Sequence, residues 1–131
     1  MGTFADSIRA NCDKKLEQIN TKCYNIVTEL FNNIVYDTPV LDGYLKNSWF
    51  TATGNKFSSQ LGLTPDSGGS GSLMNIQSLR QARAFYKKDG VVTMTNNQPY
   101  AYRIEYLGWS KYKAPYGMVR INLLTVASKY K

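Results

Sequence analysis

The sequence predicts an α+β fold, in which a long N-terminal helix and further helices pack on a small, mostly antiparallel β-sheet. Three observations support this prediction. Apolar residues recur at helical spacing over the first quarter of the chain, short β-branched and aromatic runs follow between turn residues, and helical spacing returns near the C terminus. With 131 residues, the chain fits a single domain over its whole length.

The first element is an amphipathic helix predicted from about Thr3 to Tyr36. Asp37, Thr38 and Pro39 end it, because Pro cannot donate the next backbone hydrogen bond. Such a helix is roughly 50 Å long, more than a small domain needs for its own core. We therefore expect the sheet to cover part of its apolar stripe and another subunit to cover the rest. The apolar positions on this face are Phe4, Ile8, Cys12, Leu16, Ile19, Cys23, Ile26, Val27, Leu30 and Ile34.

The two cysteines, Cys12 and Cys23, both lie in this helix. A separation of about 16 Å along the helix axis, at ~1.5 Å per residue, excludes a disulfide between them. Eleven residues make about three turns, so both thiols share one helical face. We expect them to be buried as small hydrophobic side chains.

The region after the long helix predicts a turn, a hairpin and a loop. Gly43 belongs to the turn, residues 44–48 form one helical turn, and Trp49–Thr53 extends as a strand whose Trp49 ring packs against the long helix. Phe57–Leu63 is the expected hairpin partner of this strand. The Gly/Ser-rich segment Thr64–Ser72 is expected to be a flexible loop.

The second half of the chain predicts two helices and one strand. Leu73–Lys87 and Met118–Tyr130 have helical spacing of apolar residues, and Val91–Thr95 is a β-branched run. The segment Tyr100–Tyr106 is compatible with a short helix or a strand. Residues 108–116 form a loop between it and the last helix.

Composition argues against catalysis. The chain has no His, which removes the commonest general base and zinc ligand. An enzymatic interpretation would rest only on Asp37, Asp42 and Glu105, and turn or capping roles explain the two aspartates more simply. We therefore expect no enzyme activity, no cofactor and no metal.

The net charge of +7 favours contact with nucleic acid, anionic lipid or acidic protein surfaces without choosing among them. The N-terminal residues lack the apolar core of a signal peptide, and no apolar run approaches the ~20 residues that span a bilayer. We therefore expect the protein to stay in the compartment where it is made and to have no membrane partner.

The segment from Asn96 to Arg120 contains five Tyr and one Trp among Lys and Arg. Tyr, Trp and Arg dominate protein interfaces because they offer large contact areas and directed donors. We expect the aromatic rings to determine affinity, and the lysines to determine approach and salt dependence. The residues expected to form this docking surface are Trp109, Tyr112, Tyr116, Arg120, Lys111 and Lys113.

A second interpretation of the same segment is a groove that stacks the bases of single-stranded nucleic acid. RNA-recognition and helix-turn-helix signatures are absent from the sequence, which weakens this alternative. The residues that would form the groove are Tyr100, Tyr102, Arg103, Tyr106, Trp109, Lys111, Tyr112 and Lys113.

Two ordered motifs resemble a known family. Residues 38–49 read TPVLDGYLKNSW, and residues 97–120 contain NQPYA, IEY, GWS and APYGMVR in that order. Together with the long N-terminal and the C-terminal helix, they resemble the HK97 gene-ten-like family of neck and tail-completion proteins of tailed bacteriophages. The chain departs from the family pattern at Leu41-Asp42, where Asp-Thr is usual, and at Leu107. The turn of the first motif is formed by Pro39, Asp42, Gly43 and Trp49.

The resemblance implies a non-enzymatic structural protein of the virion that joins the DNA-filled head to the tail. It implies a ring of six or twelve copies, assembled in the host cytoplasm into the neck. The partners would be adjacent neck and tail proteins, with genome DNA passing through the lumen without being read. A tail terminator or a head-closure ring protein of the same neck is the alternative.

Overall fold

The computed structural model describes residues 3–40, 43–53, 57–81, 91–108, 110 and 113–130. Four helices and two strands lie in these ranges, and the strands form an antiparallel pair with Trp49 opposite Asn96 and Thr53 opposite Val92. The predicted α+β class is confirmed. In chain order the elements are α1 (Phe4–Asp37), β1 (Trp49–Thr53), α2 (Ser70–Gln81), β2 (Val92–Asn96), α3 (Ala101–Leu107) and α4 (Val119–Lys129).

Helix α1 agrees with its prediction to within one residue at each end. It begins with a capping box: the Thr3 hydroxyl accepts from the Asp6 N–H at 3.1 Å, and the Asp6 carboxylate accepts from the Thr3 N–H at 3.2 Å. Its last residue is Asp37, and the capping residue Thr38 donates its hydroxyl to the Ile34 carbonyl at 2.7 Å. Pro39 then prevents a further turn.

The hydrophobic core forms around the C-terminal half of α1. Phe31, Ile34 and Val35 pack there with Trp49 of β1 and with apolar residues of the later helices. Helix α2 lies against both α1 and β1, and α4 lies against α1. The remaining buried members of this cluster are Leu45, Ile76, Leu79, Ile104, Ala114 and Met118.

The expected burial of Cys12 and Cys23 is wrong for the single chain, because both side chains are exposed. The helical spacing correctly placed them on the apolar face of α1. However, residues 4–23 of that face extend past the core, which begins to cover α1 only at Tyr24 and Val27. Periodicity identifies a face of a helix, and it does not show how far the rest of the chain reaches along it.

The predicted hairpin is also wrong, because β1 pairs with β2 and not with the segment 57–63. The described residues 57–63 form neither helix nor strand. Side-chain amides from beyond β2 hold this segment: Asn97 Nδ2 donates to the carbonyls of Ser58 and Gln60, at 2.8 and 3.0 Å, and Gln98 Nε2 donates to that of Gly62 at 2.7 Å. These long-range hydrogen bonds hold the segment in place of the predicted backbone pairing with β1.

Helix α2 begins at Ser70, three residues before its predicted start. The Asp66 carboxylate accepts from the Gly68 N–H at 2.8 Å and from the Ser70 hydroxyl, which orders the approach to the helix. The buried Ser72 hydroxyl accepts from the Trp49 N–H at 2.9 Å. Flexibility of 64–72 stays a prediction, although its last three residues are helical, and the predicted end of this helix lies outside the described residues.

The ambiguous segment around Tyr100–Tyr106 is the helix α3, and α4 agrees with its prediction. Helix α4 is held to α1 by Asn122, whose amide donates to Asp37 at 2.9 Å, and by a 2.6 Å ion pair between Lys129 and Glu29. Within the described residues, none of the helices combines the length and apolar composition needed to cross a membrane.

Candidate functional site

The two sequence motifs meet at one surface cavity of about 520 Å³. A volume of this size suits a small ligand or a side chain of a partner. The cavity lies between the residues that follow α1 and the residues in and around α3, so each motif supplies one wall. The first motif contributes Pro39, Val40 and Leu45, and the second contributes Pro99, Tyr100, Arg103, Ile104 and Ser110.

The turn of the first motif is held by a hydrogen-bonded chain into the core. Trp49 is 5% exposed, and its Nε1 donates to the Thr38 hydroxyl at 2.9 Å. That hydroxyl in turn donates to the Ile34 carbonyl, which links β1 to the last turn of α1. The predicted placement of the Trp49 ring against α1 is confirmed, whereas Asp42 lies outside the described residues.

Gly43 is required by the geometry of this turn. Its φ is +88°, and a Cβ there would lie 2.7 Å from the backbone nitrogen of Asp66. The Gly43 carbonyl accepts from the N–H groups of Asp66 and Asn47, at 3.1 and 3.2 Å. The turn therefore joins the segment before β1 to the segment before α2.

The second motif is organised by the Glu105 clamp, which consists of Glu105 and the first residues of α4. The Glu105 carboxylate accepts from three successive backbone N–H groups, those of Met118, Val119 and Arg120, the latter two at 2.9 and 3.0 Å. Arg120 Nε adds a 3.2 Å ion pair with Glu105 Oε1, and its Nη2 donates to the Glu105 carbonyl. A negative charge is thereby placed at the positive end of α4, where three N–H groups would otherwise lack partners.

The charge of Glu105 is stabilised despite its burial. Burial alone would raise its pKa, but the hydrogen bonds from the Val119, Arg120 and Met118 N–H groups, with the Arg120 guanidinium, together hold the pKa below its ordinary value. Glu105 is therefore an ionised, fully engaged acceptor. This arrangement ties α3 to α4 and does not resemble a general acid or base awaiting a substrate.

Gly117→Ala is expected to lower stability by about 3 kcal/mol or more, because strain and overpacking add. The φ of Gly117 is +91°, and a Cβ there would lie 2.8 Å from the Glu105 carbonyl and both carboxylate oxygens. Gly108→Ala is the control: its φ is also positive, but the nearest atom to the new Cβ is 3.6 Å away, so only strain of about 1 kcal/mol is expected. Urea unfolding of both variants measures the difference, and equal losses would contradict a tight fit at Gly117.

An aromatic patch lies on the outer face of α3 beside the Glu105 clamp. It consists of Tyr102, Tyr106, Leu107 and Arg120. The three α3 side chains are exposed, the two Tyr ring centroids are 4.9 Å apart, and the Arg120 guanidinium lies 4.9 Å from the Tyr106 ring centroid. Tyr116, just before the clamp, is 74% exposed. Exposed aromatic groups beside an arginine are typical of protein contact sites.

The structure describes only part of the predicted docking surface, whose role stays a prediction. Tyr116 and Lys113 are exposed, whereas Trp109, Lys111 and Tyr112 lie outside the described residues. Arg120 has a structural role that the sequence did not predict, since its guanidinium is bound to Glu105 while about half of its side chain stays exposed. The Glu105 clamp was also missed, because no local pattern links Glu105 to backbone groups more than ten residues later.

The described residues contain no group of three or more His, Cys, Asp or Glu side chains placed to hold a metal ion. Asp37 and Glu105 have separate roles, since the Asp37 carboxylate accepts from Asn122 and the Glu105 carboxylate caps α4. Both carboxylates are therefore engaged in contacts within the fold. Neither a family model, nor a curated protein, nor a solved structure matches the chain.

Proposed function

We propose that the chain is a structural protein of a tailed-phage virion, a neck or tail-completion protein that joins the DNA-filled head to the tail. The observation that supports this most directly is the meeting of the two family-like motifs around one cavity. Residues 38–49 and 97–120 are distant in sequence, yet both line it. The resemblance therefore concerns one surface of the molecule and not two unrelated stretches.

The motif residues divide into a frame and a surface. Gly43, Trp49, Glu105 and Gly117 hold the backbone through buried or sterically restricted contacts. The aromatic patch and Tyr116 are presented outwards by that frame. Rigid presentation of aromatic groups lowers the entropy lost on binding, which suits a protein that must dock between preformed assemblies.

The test is to delete the gene from the phage and to examine the particles by electron microscopy. We expect filled heads and complete tails that do not join, and we expect the chain in purified wild-type virions as a ring by native mass spectrometry. A chain that is absent from virions and strictly monomeric would refute the proposal. Nanomolar binding to single-stranded DNA with a steep salt dependence would instead favour the nucleic-acid interpretation.

Tyr116→Ala is expected to leave a folded protein that fails to support head-to-tail joining. The ring is exposed, so its loss should change the unfolding free energy by less than about 0.5 kcal/mol. Burying such a ring against a partner contributes a few kcal/mol at ~25 cal/mol per Å², so its removal should weaken docking strongly. Virion yield after complementation of the deletion measures the effect.

Phe57→Ala is the matched control, because Phe57 has the same 74% exposure as Tyr116 but lies outside both motifs. It should restore normal yield. Normal yield from the Tyr116 variant as well would remove this ring from the interface. The same complementation tests Trp109→Ala, for which the sequence predicts a folded protein that fails to join heads to tails.

A further inference from the structure

The cavity between the two motifs has mostly apolar walls. Leu45 and Ile104, which are 2 and 8% exposed, line its buried part, and Pro39 and Pro99 add to its sides. Its volume of about 520 Å³ falls within the range of ~300–1,000 Å³ that is typical of pockets for small ligands. The space can therefore hold an apolar side chain together with the backbone next to it.

Arg103 supplies the charge of the cavity. It is the only charged residue among the described residues that line the cavity, and it is exposed. A guanidinium has five N–H donors, so Arg103 can bind a carboxylate in addition to the contact that it makes within the fold. Ser110, which also lines the cavity, has a hydroxyl that can donate to the same group. These residues suit an apolar group that is joined to an anion.

A single guanidinium beside apolar walls favours a carboxylate over a phosphate. A phosphate group on a protein or small molecule carries about −1.5 to −2 charge at neutral pH, so one cation leaves part of that charge unpaired. Unpaired charge is costly next to an apolar surface. The single charge of a carboxylate is matched by one guanidinium, in a geometry that allows two parallel hydrogen bonds.

Arg103 also connects the cavity to the aromatic patch. Residues three and four apart are neighbours on a helix surface, so Arg103 lies beside Tyr106 and Leu107 on α3. Both of these side chains are exposed. A chain segment can therefore lie across the patch while one of its side chains enters the cavity. A small free acid would fill the cavity and leave the patch uncovered, so the arrangement favours a protein segment.

We propose that the cavity binds a segment of a partner protein in which an aliphatic or aromatic side chain stands next to a carboxylate. The apolar side chain packs on Leu45 and Ile104, and the carboxylate pairs with Arg103. Pro39 and Pro99 have fixed φ angles, which lowers the entropy lost when the walls close on the segment. That the partner is a neck or tail protein rests on the proposed function, whereas its chemistry follows from the cavity.

Two end-blocked hexapeptides test this chemistry, Gly-Asp-Leu-Phe-Asp-Gly and its amide counterpart Gly-Asn-Leu-Phe-Asn-Gly. Binding to the full-length protein is followed by the NMR shifts of the methyl groups of Val40, Leu45 and Ile104. The acidic peptide should shift all three and bind roughly tenfold or more tightly than the amide peptide, because only it forms the charge-assisted pair. Equal affinities, or no shift of these methyl groups, would overturn the proposal.

Two smaller probes distinguish other occupants. Free 3-phenylpropionate should shift the same methyl groups but bind more weakly than the acidic peptide, because it cannot reach the aromatic patch. If it binds as tightly as the peptide, the cavity takes free apolar acids and the partner segment is refuted. Inorganic phosphate should leave the acidic peptide bound at equal concentration, and displacement by phosphate would overturn the choice of a carboxylate.

Three variants test the assigned contacts, with thermal unfolding as the check that each is folded. Arg103→Gln should abolish the preference for the acidic peptide while changing the affinity for the amide peptide by less than about twofold. Arg103→Lys keeps the charge without the paired donors, so its preference should be intermediate. Val40→Trp should weaken binding of both peptides by filling the cavity from a position that is 45% exposed. Unchanged binding in Val40→Trp, or an unchanged preference in Arg103→Gln, would contradict the proposal.

Lys113→Gln is the matched control for charge. Lys113 is an exposed cation of the same motif, but it is not among the residues that line the cavity. The variant lowers the net charge of the chain as much as Arg103→Gln does. It should therefore keep the preference for the acidic peptide. An equal loss of preference in both variants would show that the peptide responds to overall charge and not to the cavity.

Failure of this site and failure of the proposed function have different signatures. If the acidic peptide binds as expected but the chain is absent from virions, the cavity stands as a binding site and the phage function fails. If deletion separates heads from tails but neither peptide binds, the phage function stands and this proposal fails.

Discussion

Trp49→Ala is expected to lower the free energy of unfolding by about 3 to 5 kcal/mol, the usual range for removing a buried aromatic side chain. The substitution removes a ring that is 5% exposed among Phe31, Ile34 and Val35. It also removes the hydrogen bond from Trp49 Nε1 to the Thr38 hydroxyl. Urea unfolding followed by circular dichroism measures the loss.

Two further variants separate packing from hydrogen bonding. Trp49→Phe keeps an aromatic ring but loses the Nε1–H donor. Thr38→Val keeps the side-chain volume but loses the hydroxyl that accepts this hydrogen bond. Each hydrogen bond is worth about 1 kcal/mol, so both variants should cost less than Trp49→Ala. If Trp49→Ala melts at the wild-type temperature but fails to assemble, the ring belongs to an interface and the core placement is wrong.

Glu105→Ala is the second change with a large expected effect, about 2 to 4 kcal/mol of unfolding free energy. It leaves three backbone N–H groups at the start of α4 without their acceptor, and each buried donor without a partner costs about 1 to 3 kcal/mol before solvent relaxation. It also removes a negative charge from the positive end of the helix. Glu105→Gln preserves the shape of the side chain, but its NH₂ group cannot accept from these donors, so it should also be destabilising.

Lowering the pH should show how much the negative charge of Glu105 contributes to the free energy of unfolding. The folded protein holds the pKa of this carboxyl below its ordinary value, so between the folded pKa and the unfolded pKa, near 4.3, the unfolded chain binds more protons. The stabilisation is therefore fully present above the unfolded pKa and disappears as pH falls through the folded one. Unfolding free energies of wild type and Glu105→Gln should converge as the pH falls below about 4.

The pH comparison has an internal control. The carboxyls of Glu29 and Asp66 also have lowered pKa values, the first mainly through Lys129 and the second mainly through Ser70, and they titrate equally in both proteins. Only the difference in unfolding free energy between wild type and Glu105→Gln reports the titration of Glu105. A difference that stays constant from neutral pH to pH 3 would show that the side chain contributes through packing and not through charge.

The elements whose signals are local could be predicted from the sequence. The apolar repeat of α1, the residues Thr38 and Pro39 that end it, and the aromatic and β-branched run of β1 lie within a few residues of the backbone that they organise. The absence of His and the aromatic content of Asn96–Arg120 are likewise properties of composition. The fold class follows from these signals because helix and strand periods depend on neighbouring residues alone.

The contacts between distant segments became apparent only in the folded chain. It selected β2 over residues 57–63 as the partner of β1, and it placed the Glu105 carboxylate on the N–H groups that begin α4. It also left the N-terminal half of α1 beyond the reach of the core, so Cys12 and Cys23 are exposed despite their apolar spacing. All three have one cause: backbone pairing, capping across loops and coverage of a helix depend on contacts between segments distant in sequence, and no local period records them.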